Sequence, residues 1–297
     1  MMKNSIIKDH LKHIYKAFRY YNKVGLYLWV RYIIAPRILA WPHSLEKGKK
    51  RDDMSMHIFF GERDFVMALW SLASFYRVMP QVGQLFIHSD GTLNETHRKK
   101  INILFPNARI EDSKHFMREH PEILNEYPVL KKFRETYKKF QVRIIDYYFL
   151  SDKKYRLFID SDLLWFKTPS EIVESLEQGI PKPLMMSNGE FVRMEFADGS
   201  FTDDRTSLPN DGILLTRQDQ LDPKRMELFL NKCDYIGKRF GDQAWMSWVL
   251  DYDLLPVGTY IIKGTLTDQI VVRHYTSPSR TKFFIYGLDR MWDKILA

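Results

Sequence analysis

Residues 155–166 read Tyr-Arg-Leu-Phe-Ile, then Asp160-Ser161-Asp162, then Leu-Leu-Trp-Phe, an acidic pair caught between two apolar runs. Short apolar runs of this kind form buried strands. Two carboxylates at the end of one are either buried without partners, which is costly, or open onto the floor of a cleft. The second arrangement calls for an open α/β sheet, whose ligands sit at the carboxyl ends of the strands. One residue between two carboxylates lets both approach one hard cation where the backbone turns. Mg²⁺ and Mn²⁺ prefer such oxygen ligands, completed by water and phosphate. Alone, an Asp-x-Asp triplet also occurs in surface turns that hold no metal.

The chain beyond residue 51 has the alternation such a sheet needs. Met56–Phe60 reads as a buried strand, Gly61 as a turn, and Asp64 as the cap of a helix through Met79 with Phe65, Leu69, Leu72 and Phe75 inside. Gln84–His88 is a second strand, followed by a turn at Asp90-Gly91 and a helix over about 94–104. Ala108–Ile110 and Tyr155–Ile159 are further strands, separated by a long helical stretch over about 129–150. A strand over 212–216, helices over 223–237 and 242–249, and a strand over 271–274 complete the order. This pattern predicts an α/β fold with a largely parallel sheet covered on both faces.

Residues 1–50 carry eleven Lys or Arg against Asp9 and Glu46, while the other 247 residues sum to −1. A basic excess confined to one end reads as an attachment region. Ile7, Leu11, Ile14, Phe18 and Tyr21 share one helical face, with Lys8, Lys12, Lys16, Arg19 and Lys23 on another. The aromatic stretch 24–41 is broken by Arg31, Pro36 and Arg37, too short to span a bilayer. A basic helical extension over 1–50, lying on a membrane surface or packed on a main domain over 51–297, is the expectation. No nucleic-acid motif accompanies the charge. Cys233 has no second cysteine to pair with, which fits a reducing, cytoplasmic setting, peripheral on the inner face of a membrane if the extension binds one.

From Met56 to Arg280 the motifs resemble those of the GT-A glycosyltransferases, especially the retaining bacterial galactosyl- and glucosyltransferases related to glycogenin. The resemblance implies a GT-A (Rossmann-like) nucleotide-diphospho-sugar transferase fold, with Asp160 and Asp162 as ligands of Mn²⁺ or Mg²⁺. It implies a third ligand in His274, within Val271-Val-Arg-His-Tyr-Thr-Ser-Pro-Ser-Arg280. The family has a Gly three residues after that His and a Lys six after it; here Ser277 and Arg280 stand there, and Arg280 keeps the charge for a diphosphate. Asn210-Asp211-Gly212 resembles the Asn-x-Gly strand, with Asn210 and Gly212 toward the donor sugar. Gly241-Asp242-Gln243 resembles the Asp-Gln helix start, with Asp242 on sugar hydroxyls and Gln243 beneath the anomeric carbon. Arg143 matches a donor-contacting Arg, and Glu62 and Phe65 match the nucleobase contacts.

Each residue also has a plain structural reading: His274 as a core histidine, Asp242 as a helix cap, Asn210-Asp211-Gly212 as a turn, Arg143 in a surface ion pair, Phe65 in the core. Taken with the family pattern, they imply hexose transfer from a nucleotide-diphosphate sugar, a UDP-sugar first, to a hydroxyl of a glycan or glycolipid, with retention of configuration. The polar segment 188–209 reads as a lid or acceptor loop. Two alternatives stand: an inverting transferase with Asp211 or Asp242 as base, and a non-catalytic membrane-surface or polyanion-binding protein. A nucleotidyltransferase fits poorly, since Gly61-Glu62-Arg63-Asp64 lacks the glycines of its phosphate loop.

Overall fold

In the computed structural model, residues 2–112, 125–136, 145–187, 209–232, 246 and 248–297 are described. Side-chain alternation along the strands sorts the core into two layers. On strand β1 (Lys49–Phe60), Met54, Met56, Ile58 and Phe60 face helix α4 (Phe65–Val78), while His57 points to the other side. The same split holds on β4 (Tyr155–Ile159), where Leu157 and Ile159 join the first layer and Phe158 the second. The helices Pro128–Thr136 and Pro223–Lys232 cover that second face.

With β2 (Gln81–Ser89), β3 (Arg109–Asp112), β6 (Leu184–Ser187), β7 (Pro209–Arg217) and β8 (Asp253–Leu254), these strands form a seven-stranded sheet in the order β3-β2-β1-β4-β7-β6-β8. The half from β3 to β4 is parallel, as expected, but β7 runs antiparallel to both neighbours. Its reversal brings the start of β7 to the edge where β4 ends. Strands β5 (Leu163–Trp165), β9 (Tyr260–Ile261) and β10 (Val272–His274) make a second, three-stranded sheet.

Two sequence expectations need correction. β1 starts at Lys49 rather than Met56, because Lys49 and Lys50 pair with Gln81 and Val82 while the charges there stay solvated. Asp64 precedes α4 without capping it, since its carboxylate is taken by Arg63 and Arg280. Of the helix expected over 129–150, Pro128–Thr136 is helical and the chain is helical again from Ile145 to Phe149, while residues 137–144 lie outside the described residues. Of the helices expected over 223–237 and 242–249, Pro223–Lys232 and residues 246, 248 and 249 are helical, and the rest, Cys233 beside them, lie outside the described residues.

The extension is built into the main core. Helix α1 (Met2–Arg19) turns His13 and Ala17 inward, His13 meeting Thr281 Oγ1 at 2.7 Å. Helix α2 (Val24–Trp29), a π-turn Val30–Ile34 and helix α3 (Arg37–Ala40) bury Tyr27, Val30, Ile34 and Ile38, and Trp70 Nε1–H donates to Ala35 O. Pro36 divides the run, because it removes a donor from the helix ladder. The apolar face expected on α1 is only partly used: Ile14 packs inward, whereas Ile7, Leu11 and Phe18 are 56–65% exposed. Among the described residues, no helix is long and apolar enough to cross a membrane.

Beneath β1 and β2 the histidines His57 and His88 are fully buried and bonded ring to ring at 3.0 Å, with His57 stacked on Phe86. Burial, then the neighbouring His88 and Arg156, keeps His57 well below the usual histidine range; burial, with Arg134 adding, lowers His88 to about 3. Both are neutral when folded, whereas the unfolded chain takes up these protons near about pH 6.5. Their contribution is therefore full above that pH and is lost as pH falls toward the folded value. Denaturant titrations at pH 7 and 5 should show the parent losing more stability than a His88→Phe variant. The expected difference is on the order of 1.4 kcal/mol per pH unit for each such proton. Equal losses would contradict the assignment.

Candidate functional site

Two strand ladders meet around Asp160-Ser161-Asp162. On one side Ile159 of β4 pairs with Ile213 of β7, and the Asp160 amide continues the ladder by donating to Gly212 O at 2.9 Å. On the other, Leu163 of β5 faces His274 of β10, and the Tyr275 amide donates to Asp162 O at 2.9 Å. Residues far apart in the chain thereby converge at the carboxyl end of the parallel strands.

His274 Nε2 lies 2.9 Å from Asp162 Oδ1 and 3.2 Å from Asp160 Oδ2. Its Nδ1 lies 2.7 Å from Asn210 Oδ1, the same oxygen that accepts the Gly212 amide at 3.0 Å. An amide oxygen only accepts, so Nδ1 donates to it and Nε2 is the nitrogen left facing the two carboxylates, as a proton donor to them or as a ligand when a metal lies between. Metal-bound histidines are oriented in this way, by a second bond at the far nitrogen. Three electron-rich groups this close repel one another unless a proton or cation lies among them. Asp160, Asp162 and His274 offer ligand atoms that all lie within 4.8 Å of one another, a set that fits a divalent ion.

Gly212 is required by this packing. A Cβ there would come within 2.5 Å of His274 Nδ1 and 2.8 Å of Asn210 Oδ1. Arg280 closes the cluster, its Nε donating to Asp162 Oδ2 and its Nη1 to Asp64 Oδ1, both at 3.0 Å. Burial pushes the Asp162 carboxyl upward, but His274 and Arg280 more than reverse this and hold it below the usual carboxylate range. Ser71 Oγ–H donates to the Asp160 carbonyl from α4 at 3.2 Å.

Six of the residues singled out in the sequence therefore meet: Asp160, Asp162, Asn210, Gly212, His274 and Arg280. Asn210 is buried with its oxygen committed to the histidine, and Arg280 engages carboxylates. Glu62 and Phe65 line a neighbouring cavity of about 590 Å³ with His97, and Phe65 is only 4% exposed, packed on the His97 ring. Arg143, Asp242, Gln243 and the segment 188–208 lie outside the described residues. Asp64, which sequence reasoning treated as a cap alone, belongs to the cluster. Its signal was its place just after β1, the parallel neighbour of β4, where both strands end at one edge.

No protein-family model and no curated protein sequence matches the chain. Solved structures do match its fold. Mouse xyloside xylosyltransferase 1 aligns over 77% of this chain and 99% of its own, at 12% identity and a TM-score of 0.52. The bifunctional glycosyltransferase WbbM aligns over 82% of this chain at 13% identity and a TM-score of 0.53, and this chain spans about half of it, 51%. The glycosyltransferase GlyE of Streptococcus pneumoniae aligns over 84% of this chain and 62% of its own, at 14% identity and a TM-score of 0.50. The chain has the GT-A fold, a mixed α/β architecture around a parallel-rich sheet.

Replacing Gly212 by Ala should displace His274, and Asn210→Ala should free its ring to turn. Each is expected to weaken Mn²⁺ binding by about 10–100-fold, read by the loss of the free-ion signal in electron paramagnetic resonance titrations. Unchanged affinity in both would contradict this account of the site.

Proposed function

We propose that the chain is a divalent-metal-dependent glycosyltransferase that takes a hexose from a nucleotide-diphosphate sugar. The observation that carries this reading is the His274 ring, tied at Nδ1 to Asn210 and aimed with Asp160 and Asp162 at one point, in a GT-A fold. Asp160, Asp162 and His274 would hold Mn²⁺ or Mg²⁺, which would neutralise charge on the donor diphosphate.

The remaining roles belong to the chain's own groups. Arg280 lies against Asp162 and supplies a fixed positive charge beside the departing nucleotide. Asp64 holds that guanidinium in place through its second bond. We assign Asp242, Asn210 and Gly212 to the sugar, Gln243 to the face below the anomeric carbon, Arg143 to the donor, and Glu62 and Phe65 to the nucleobase. These assignments rest on the motif resemblance, as does retention of configuration. A UDP-sugar is the first donor to try.

For the acceptor we propose a glycan or glycolipid hydroxyl presented at a membrane surface. The support is the outward face of the extension, where Ile7, Leu11 and Phe18 are exposed beside the exposed Lys8, Lys12 and Arg19. Such a surface suits an anionic lipid interface.

The test is nucleotide release from a panel of UDP-, GDP- and CMP-sugars with Mn²⁺, Mg²⁺ or EDTA. Release from one donor, abolished by EDTA and reduced at least about 100-fold by Asp162→Ala, is expected. Proton NMR of the product should show the donor's anomeric configuration; an inverted product would replace retention by base-assisted inversion. Donor turnover unaffected by EDTA and by Asp162→Ala would overturn the metal-dependent reading.

A further inference from the structure

Because side chains alternate along β10, Arg273 points away from the face that carries His274. It lines a separate cavity of about 270 Å³ together with Tyr21, Lys282, Tyr286, Arg290 and the loop at 264–266. Arg273 is 2% exposed and its Nε has no hydrogen-bond partner. Its guanidinium lies 5.0 Å from the Tyr275 ring centre, a contact with the π-face that leaves the charge without a counter-ion.

The neighbours add positive charge. Tyr21 and Tyr286 meet edge to face at 6.0 Å, with Lys282 Nζ over the first ring at 5.5 Å and Lys23 Nζ over the second at 4.8 Å. Among the described residues, no carboxylate makes salt-bridge contact with Arg273, Lys282 or Arg290. Asp289 feels Arg290 and Lys23 electrostatically without forming a salt bridge to either, and burial raises its carboxyl above the usual value. Burial and then Arg273 lower the Lys282 ammonium, the mark of cations that crowd one another. Uncompensated buried charge of one sign is costly. A di-anion beside the buried Arg273, with Lys282 partly buried and Arg290 exposed at the rim, removes that cost, and two guanidinium forks with one ammonium suit phosphoryl oxygens better than a single carboxylate.

We propose that this cavity binds a phosphoryl group, at a site distinct from the metal cluster on the opposite face of β10. Arg273 grips it from the buried end, Lys282 and Arg290 flank it, and the Tyr21 and Tyr286 rings line the same cavity. The cavity sits where α1 ends, near the exposed Phe18 and Tyr20, so a phospholipid headgroup and a soluble phosphoester share the required chemistry.

The full chain in EDTA would be titrated calorimetrically with inorganic phosphate. One saturable event is expected, weakened at least tenfold in a Lys282→Ala/Arg290→Ala double variant and retained in Arg280→Ala. The double variant should melt no lower than the parent without phosphate, because it has shed like charges, and should lose the parent's rise in Tm when phosphate is added. Co-sedimentation with phosphatidylcholine vesicles, with or without phosphatidic acid, separates the sources. Binding that needs phosphatidic acid, Lys282 and Arg290 assigns a lipid headgroup; phosphate binding without it assigns a soluble ligand. The proposal is overturned if neither phosphate nor vesicles bind, if the double variant binds like the parent, if Arg280→Ala abolishes binding, or if the double variant melts lower in phosphate-free buffer.

Discussion

The bond between His274 Nδ1 and Asn210 Oδ1 organises the end of the sheet where Asp160, Asp162 and His274 meet. It fixes which ring nitrogen turns toward the two aspartates, and so the direction in which Nε2 meets them. The bond exists only because Gly212 lets the ring pass beside β7, and because β7 runs antiparallel so that its start meets the end of β4. Local sequence, strand direction and ligand chemistry are linked at that point. A side chain at 212 or a different hand of β7 would separate them.

Charge balance around the cluster follows from the same placement. Asp160, Asp162 and Asp64 approach a single edge from two parallel strands, and Arg280 bridges the last two. That guanidinium is held by the segment that also packs against α1 and α2, through Tyr27 on Phe284 and His13 on Thr281. The basic extension is thus more than an appendage. Its inner face stabilises the C-terminal segment that delivers Arg280, while its outer face keeps Ile7, Leu11 and Phe18 in contact with solvent.

Much of the site was legible because its chemistry is written in short strings. Asp160-Ser161-Asp162 between apolar runs, and Asn210-x-Gly212 before a strand, carry their spacing with them. Residues whose role arises from topology were harder to read. Asp64 looked like a cap because a helix follows it, and only the parallel pairing of β1 with β4 turns it into part of the cluster. The apolar stripe on α1 was visible, but the face that docks was decided by tertiary fit, with small Ala17 and the His13–Thr281 bond prevailing over the larger apolar residues. Strand order and the antiparallel β7 were not encoded in the alternation of strands and helices, which reads the same for either direction. The start of β1 was hidden in charge, since an edge segment can pair its backbone while its side chains stay in water.

The central claim is that Asp160, Asp162 and His274 form one metal site whose histidine is oriented by Asn210. Its most direct test is anomalous diffraction at the manganese edge from crystals grown with Mn²⁺ and UDP. The account predicts a single strong peak bounded by carboxylate oxygens of Asp160 and Asp162 and by His274 Nε2, with Nδ1 still on Asn210. A peak elsewhere, or an ordered nucleotide with no metal beside these three residues, would contradict it.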